Sequence, residues 1–133
     1  MLFHGTSGTE PNKIYDDEFG FDMRHSNAGM WGQGIYFAVN ASYSKNGYSF
    51  QNKDGTSSIF YAKVALGEFV QLQPNRSYRI PPEKPGKNKF AGERYDSIKG
   101  NTNGSDIFIV YENSRAYPSY LITFGIDKLV TKL

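Results

Sequence analysis

Residues 107–111, IFIVY, form a continuous apolar run of strand length, too short to make a helix. A run with no polar alternation predicts a strand covered on both faces, and so a central one. The chain must therefore be organised around a sheet. Residues 59–72, IFYAKVALGEFVQL, are rich in aromatic and β-branched residues with partial alternation. They predict a strand pair or one long bent strand, with Gly67 as turn or bulge. Tyr120–Phe124, YLITF, predicts another strand, after a short connection ENSRAYPS in which Tyr117-Pro118 makes a turn. Residues 73–104 carry loop chemistry, with four of the six prolines between Pro74 and Pro85.

Two helices are expected. One covers about 9–19, TEPNKIYDDEF, with Thr9 as N-cap, Pro11 early in the helix, and Ile14, Tyr15 and Phe19 as its apolar stripe. The other covers about 41–48, starting near Ala41-Ser42. The fold class is α+β and β-rich. At 133 residues, the whole of 1–133 is one domain. Aromatics are 16% while total hydrophobics are only 38%, so the core must rest on a few large rings.

Several function classes drop out early. A net charge of +2 falls short of the bias of a nucleic-acid binder. With no cysteine, disulfide frameworks, thiolate metal sites and thiol catalysis are excluded. The start, MLFHGTSGTEP, has no basic region followed by an apolar run, and nothing approaches the roughly 20 apolar residues of a membrane span. An intracellular protein is expected. The only histidines are His4 and His25, which disfavours an imidazole-built metal centre, and no metal is expected.

Three stretches carry chemistry. In Leu2-Phe3-His4-Gly5-Thr6, the histidine can do acid–base work and the glycine lets a ligand approach the backbone. The same stretch also reads as a histidine capping a following helix, or simply an N-terminal histidine. In Gly32-Gln33-Gly34-Ile35-Tyr36-Phe37-Ala38, Phe37 stands at the third glycine of a dinucleotide-binding G-x-G-x-x-G, so a doubly wound sheet is disfavoured. A glycine turn delivering Tyr36 as a stacking platform is one reading, and an ordinary core strand is the other. Ser42-Tyr43-Ser44-Lys45-Asn46-Gly47-Tyr48 places a hydroxyl within reach of a second aromatic. A flat amide-bearing ring such as nicotinamide suits that set.

Together, His4-Gly5, Gly34-Ile35-Tyr36-Phe37-Ala38, Ser44, the strand 107–111 and AYPSYLITF resemble the catalytic domain of the poly(ADP-ribose) polymerase (PARP) family, ADP-ribosyltransferases of diphtheria-toxin-like fold. The resemblance covers about residues 2–124. GFDMRHSNAGMWGQGIYFA is similar to the tankyrase branch, and FAVNASYS to the mono-ADP-ribosylating macrodomain PARPs. It implies two packed, mainly antiparallel sheets with short helices and long loops, and NAD as co-substrate; the regulatory helical domain that the family often carries is not expected in this chain. It also implies roles. His4 would bond the ribose hydroxyls, Gly5 the carboxamide through its backbone, and Ser44 the carboxamide oxygen. Tyr36 and Tyr48 would stack on the nicotinamide. Gly34, Phe37 and Ala38 would complete the binding strand, Thr6 and Arg24 would line the adenosine side, and residues 23–33 would close over the donor.

The family often carries a Glu four residues before the Tyr of its I-V-Y-like run. Four residues before Tyr111 is Ile107, so the triad is His4, Tyr36 and Ile107. Asp106 should face away by strand alternation, and Glu112 lies past the strand end. Without that Glu, transfer of a single ADP-ribose to a protein or nucleic-acid end is expected, with nicotinamide released and no polymer formed. The alternatives are a catalytically silent NAD- or ADP-ribose-binding module and an NAD hydrolase. A monomer that avoids membranes is expected.

Overall fold

Strand β8 (Ser105–Val110) is the apolar run, and it is buried on both faces as expected. The computed structural model describes residues 1–18, 20–86 and 93–125, and for Asn27 the backbone alone. The other strands are β1 (Leu2–His4), β2 (Asn27–Gly29), β3 (Gly32–Ala38), β4 (Phe50–Gln51), β5 (Ser57–Val64), β6 (Phe69–Gln71), β7 (Ser97–Thr102) and β9 (Ala116–Phe124). Helix α1 is Asn12–Tyr15 and helix α2 is Ala41–Tyr48. The β-rich α+β class holds.

Hydrogen bonding follows one path, β4-β5-β1-β3-β8-β7-β6, with β2 added to β3 and β9 to β5. The expected two sheets are thus joined into one strand path. Every pairing is antiparallel except β6 with β7. Along β8, Phe108 and Val110 enter a cluster with Leu2, Ile14, Phe21, Phe37 and Phe60. Ile107 and Ile109 enter a second cluster with Trp31, Ala38, Ile98 and Tyr111. This is the period of two in a strand, with both faces covered. The rings carry the first cluster. Phe21 meets Phe37 and Phe60 edge-on, each with centroids 5.3 Å apart.

Three expectations are corrected. The helix at 9–19 is a single turn, α1, preceded by Pro11 with no side-chain cap. Thr9 is not its N-cap: its carbonyl accepts the Thr6 hydroxyl at 2.6 Å in a local turn. Ile14 is buried but Tyr15 is half exposed, so the expected stripe is broken at Tyr15; Phe19 lies outside the described residues. Residues 59–72 are neither a hairpin nor one bent strand. β5 pairs with β1, β4 and β9, whereas β6 pairs with β7. Tyr117-Pro118 is not a turn but the start of β9. Pro118, which lacks an N–H, sits where the pairing with β5 shifts register between Tyr61 and Lys63. Among the described residues, no helix is long and apolar enough to cross a membrane.

Candidate active site

β1, β3 and α2 converge on a cavity of about 250 Å³. His4, Gly5, Gly34, Tyr36, Ser44 and Tyr48 all line it, residues drawn from three separate stretches of sequence. A larger cleft, about 490 Å³, lies between Ile14, Lys63, Arg115 and Tyr117 and holds none of the expected site residues.

His4 ends β1 and is buried. Its Nδ1 lies 2.6 Å from the carbonyl oxygen of Tyr36. A carbonyl can only accept, so Nδ1 carries the proton and donates, and Nε2 keeps a lone pair. The ring rests against Phe21 and Phe37. Burial pulls the imidazole pKa from 6.5 down to about 4, against the Tyr36 bond and with help from nearby His25. At neutral pH His4 is an uncharged hydrogen-bond acceptor.

Gly5 follows because nothing larger fits. A Cβ there would lie 2.3 Å from the Tyr48 carbonyl oxygen. Ser7 N–H donates to that same oxygen at 2.8 Å, which ties the loop after β1 to the end of α2. Helix α2 kinks at Asn46–Gly47, and Tyr48 then stacks on Tyr43 at 5.2 Å. Both tyrosines line the cavity. Burial, and a bond with the Tyr48 hydroxyl, push the Tyr43 phenol up. Ser44 is buried on α2 with its side chain lining the cavity, so its hydroxyl is within reach of a ligand there.

Tyr36 is half-buried on β3. Its hydroxyl donates to the Gly32 carbonyl at 2.7 Å and accepts from the Trp31 N–H at 2.9 Å. The ring is thereby fixed at both ends, by the strand and by the turn between β2 and β3. Burial raises its phenol pKa. Trp31 is itself locked, its indole N–H donating to the Leu72 carbonyl at 2.9 Å and its own carbonyl accepting the Tyr111 hydroxyl at 2.5 Å.

Other expected residues lie elsewhere. Phe37 points to the opposite face of β3 and is core. Ala38 and Ile107 face each other across β3 and β8 and sit in the second cluster, behind Tyr36 and Tyr43. Thr6 is spent on its turn. Arg24 is exposed and bridges Asp17 at 2.7 Å and buried Asp22 at 2.6 Å. It borders a shallow depression that shares His25 with the cavity. Asp17, Asp22 and His25 bring ligand-type atoms within 4.8 Å of one another, but Arg24 already holds both carboxylates. Of the 23–33 segment, His25, Ala28, Gly29, Met30 and Trp31 line the cavity. Tyr43 and Arg76 line it too and were not anticipated. Among the described residues no carboxylate does. Asp106 turns to Asn101 and Lys99, and Glu112 pairs with Arg115 in solvent.

The chain matches the model of the Poly(ADP-ribose) polymerase catalytic domain over residues 1–97. It is 40% identical over 125 residues to a probable poly [ADP-ribose] polymerase of Dictyostelium discoideum, covering 92% of this chain and 33% of that protein. It is 35% identical to the human protein mono-ADP-ribosyltransferase PARP14 (93% of this chain, 7% of that protein). To the human protein mono-ADP-ribosyltransferase PARP12 it is 36% identical (93% and 17%). The chain thus spans a third or less of the length of these three curated relatives. With its strand path built around IFIVY and the family model matched over most of its length, the chain belongs to the poly(ADP-ribose) polymerase catalytic domain family.

Proposed function

We propose that the chain is an NAD-dependent mono-ADP-ribosyltransferase, a single catalytic unit that releases nicotinamide and passes one ADP-ribose to an acceptor. The observation that carries this reading is the His4–Tyr36 unit: a buried, neutral imidazole held by the Tyr36 carbonyl beside a ring that opens into a cavity with Ser44 and Tyr48. His4 Nε2 accepts a hydrogen bond from a ribose hydroxyl. Tyr36 and Tyr48 flank the nicotinamide ring. The Gly5 backbone and Ser44 hydroxyl hold its carboxamide. The 23–33 segment covers the donor, with Arg24 towards the adenosine, and Thr6 serves that side only by holding the turn after β1.

The donor supplies a pyridinium leaving group. Its C–N bond to ribose breaks with the electron pair going to the ring nitrogen, and an acceptor oxygen bonds the same ribose carbon. The ribose passes through an oxocarbenium-like state, and fixed orientation supplies much of the rate. A hydroxyl acceptor would need a base to take its proton. The cavity offers no carboxylate among its described lining, and Ile107 is apolar. A carboxylate acceptor has no proton to lose. The reading is therefore one transfer per acceptor, with no chain growth from ribose hydroxyls.

Labelled NAD with the protein should give discrete labelled product and free nicotinamide without a ladder. His4→Ala and Tyr36→Ala should each lower nicotinamide release about 100-fold, as loss of substrate positioning does. A polymer ladder, or release indifferent to both substitutions, would sink the reading. Release with no labelled acceptor would mark a hydrolase instead.

A further inference from the structure

Strand β8 lends no side chain to the described lining of the cavity. Ile107, Ile109 and Tyr111 share one face of that stretch and sit in the second cluster. Tyr111 is buried there against Gly34, where a Cβ would lie 3.1 Å from its Cε1. Its hydroxyl donates to the Trp31 carbonyl at 2.5 Å. Burial, with the phenols of Tyr36 and Tyr78 nearby, pushes the Tyr111 pKa up, so the proton stays on the oxygen and the donor persists. Trp31 passes this hold to Tyr36. The Trp31 N–H donates to the Tyr36 hydroxyl at 2.9 Å, and that hydroxyl donates to the Gly32 carbonyl at 2.7 Å. Tyr111 therefore pins the peptide that lies between the two groups gripping the tip of the Tyr36 ring. The same turn is tied down on its other sides. The Trp31 indole donates to the Leu72 carbonyl at 2.9 Å, and Gln33 N–H donates to the Tyr78 carbonyl at 3.0 Å. Gly32, at φ +80°, has no room for a Cβ against that Tyr78 carbonyl, so the loop carrying Arg76 is clamped to the start of β3.

We infer that Tyr111 is a positioning residue: from the core, through the Trp31 turn, its hydroxyl sets the pose of the Tyr36 ring and with it the affinity for the nicotinamide end of NAD. This rests on the transferase reading above, in which Tyr36 stacks on the nicotinamide. The cause is entropic. A ring held at its tip before the donor arrives loses little freedom on stacking, whereas a ring on a loose turn is ordered only at that moment, and binding weakens. The backbone end of Tyr36 is already fixed, because His4 holds its carbonyl on β3. The tip remains, and the tip follows the turn. A phenyl ring would fill the place of Tyr111 in the cluster without burying a hydroxyl. What the hydroxyl adds is the hold on Trp31.

The test compares Tyr111→Phe, which removes the donor and keeps the ring, with Tyr36→Phe, with the double variant, and with Ile98→Val, which trims the same cluster away from the turn. Tyr111→Phe and Ile98→Val should both melt earlier than the parent. Only Tyr111→Phe should raise the KM for NAD, by about fivefold, with kcat unchanged. A merely less stable cluster lowers the amount of folded enzyme, and so the apparent kcat, and leaves the KM alone. The double variant should bind NAD no worse than Tyr36→Phe, because the hydroxyl through which Tyr111 acts is already gone. Trp31 is the only tryptophan of the chain and lines the cavity, so quenching of its fluorescence by NAD gives a dissociation constant without turnover. That constant should rise by the same factor as the KM. Hydrogen exchange at the Trp31 amide, measured without ligand, should quicken about fivefold in Tyr111→Phe and stay unchanged in Ile98→Val. A KM and an exchange rate unmoved by Tyr111→Phe would overturn the inference. So would an equal rise in KM in Ile98→Val, or additive losses in the double variant. A parent that releases no nicotinamide fails the transferase reading; the dissociation constant and the amide exchange then still decide for or against Tyr111.

Discussion

Neighbouring residues on β3 face opposite ways and live in different surroundings. Phe37 is sealed into a ring cluster with Phe21 and Phe60, touching His4 from below. Tyr36, one residue earlier, is half-buried, hydrogen-bonded at its hydroxyl and open to the cavity. The same pleat thus makes one ring permanent packing and leaves the other open to the cavity. His4 belongs to both, since its faces rest on Phe21 and Phe37 while its Nδ1 is bound to the Tyr36 carbonyl. The sealed face holds the open one in place.

The sharpest way to break this contrast is Phe37→Ala. Removing a fully buried phenyl ring costs about 3–5 kcal/mol, a large share of the stability of a domain this size. The urea midpoint should fall accordingly. If the alanine variant does not fold, Phe37→Leu, a smaller truncation, should cost less than Phe37→Ala but still lower the midpoint. A negligible shift in both would mean that this face is not the core.

Acid tests the junction. His4 has a folded pKa of about 4 against an ordinary 6.5. Between those values the unfolded chain binds the proton and the folded protein does not. Stability is therefore complete above about pH 6.5 and is lost as pH falls towards 4. The shift corresponds to about 3 kcal/mol at most. Asp22, whose carboxyl Arg24 holds below its usual range, also loses stability in acid. Subtracting the pH profile of His4→Gln from the parent isolates the histidine. A difference that is flat from pH 7 to 4 would show that the ring is not sealed.

Much of this was legible in the sequence. IFIVY announced a doubly covered central strand, and the short motifs placed His4, Gly5, Tyr36, Ser44 and Tyr48 around one site before any fold was known. Period-two alternation, applied to β3, would also have separated Phe37 from Tyr36. A motif taken whole hides that alternation. The expected helix at 9–19 had capping letters, but its apolar stripe fails at Tyr15, which is half exposed. Arg76 left no signal, because its loop reaches the cavity only by clamping onto Gly32, some forty residues away in sequence. Ile107 was placed by motif counting, yet its side chain sits behind Tyr36 and Tyr43 rather than in the cavity.

The smallest expected effect separates the ring of Tyr36 from its hydroxyl. Tyr36→Phe keeps a flat face in the cavity but removes the oxygen that accepts from Trp31 N–H and donates to the Gly32 carbonyl. An orphaned buried donor costs about 1–3 kcal/mol, and the low end applies here because the cavity gives water a route to the gap. Stability should drop by about 1 kcal/mol. Nicotinamide release should fall less than tenfold, against the roughly 100-fold expected for Tyr36→Ala. If Tyr36→Phe is as inactive as Tyr36→Ala, the hydroxyl matters more than the ring, and stacking is the wrong role for the open face of β3. If Tyr36→Phe is silent in both measurements, the clamp from Trp31 and Gly32 does not position the ring, and the strand alone does.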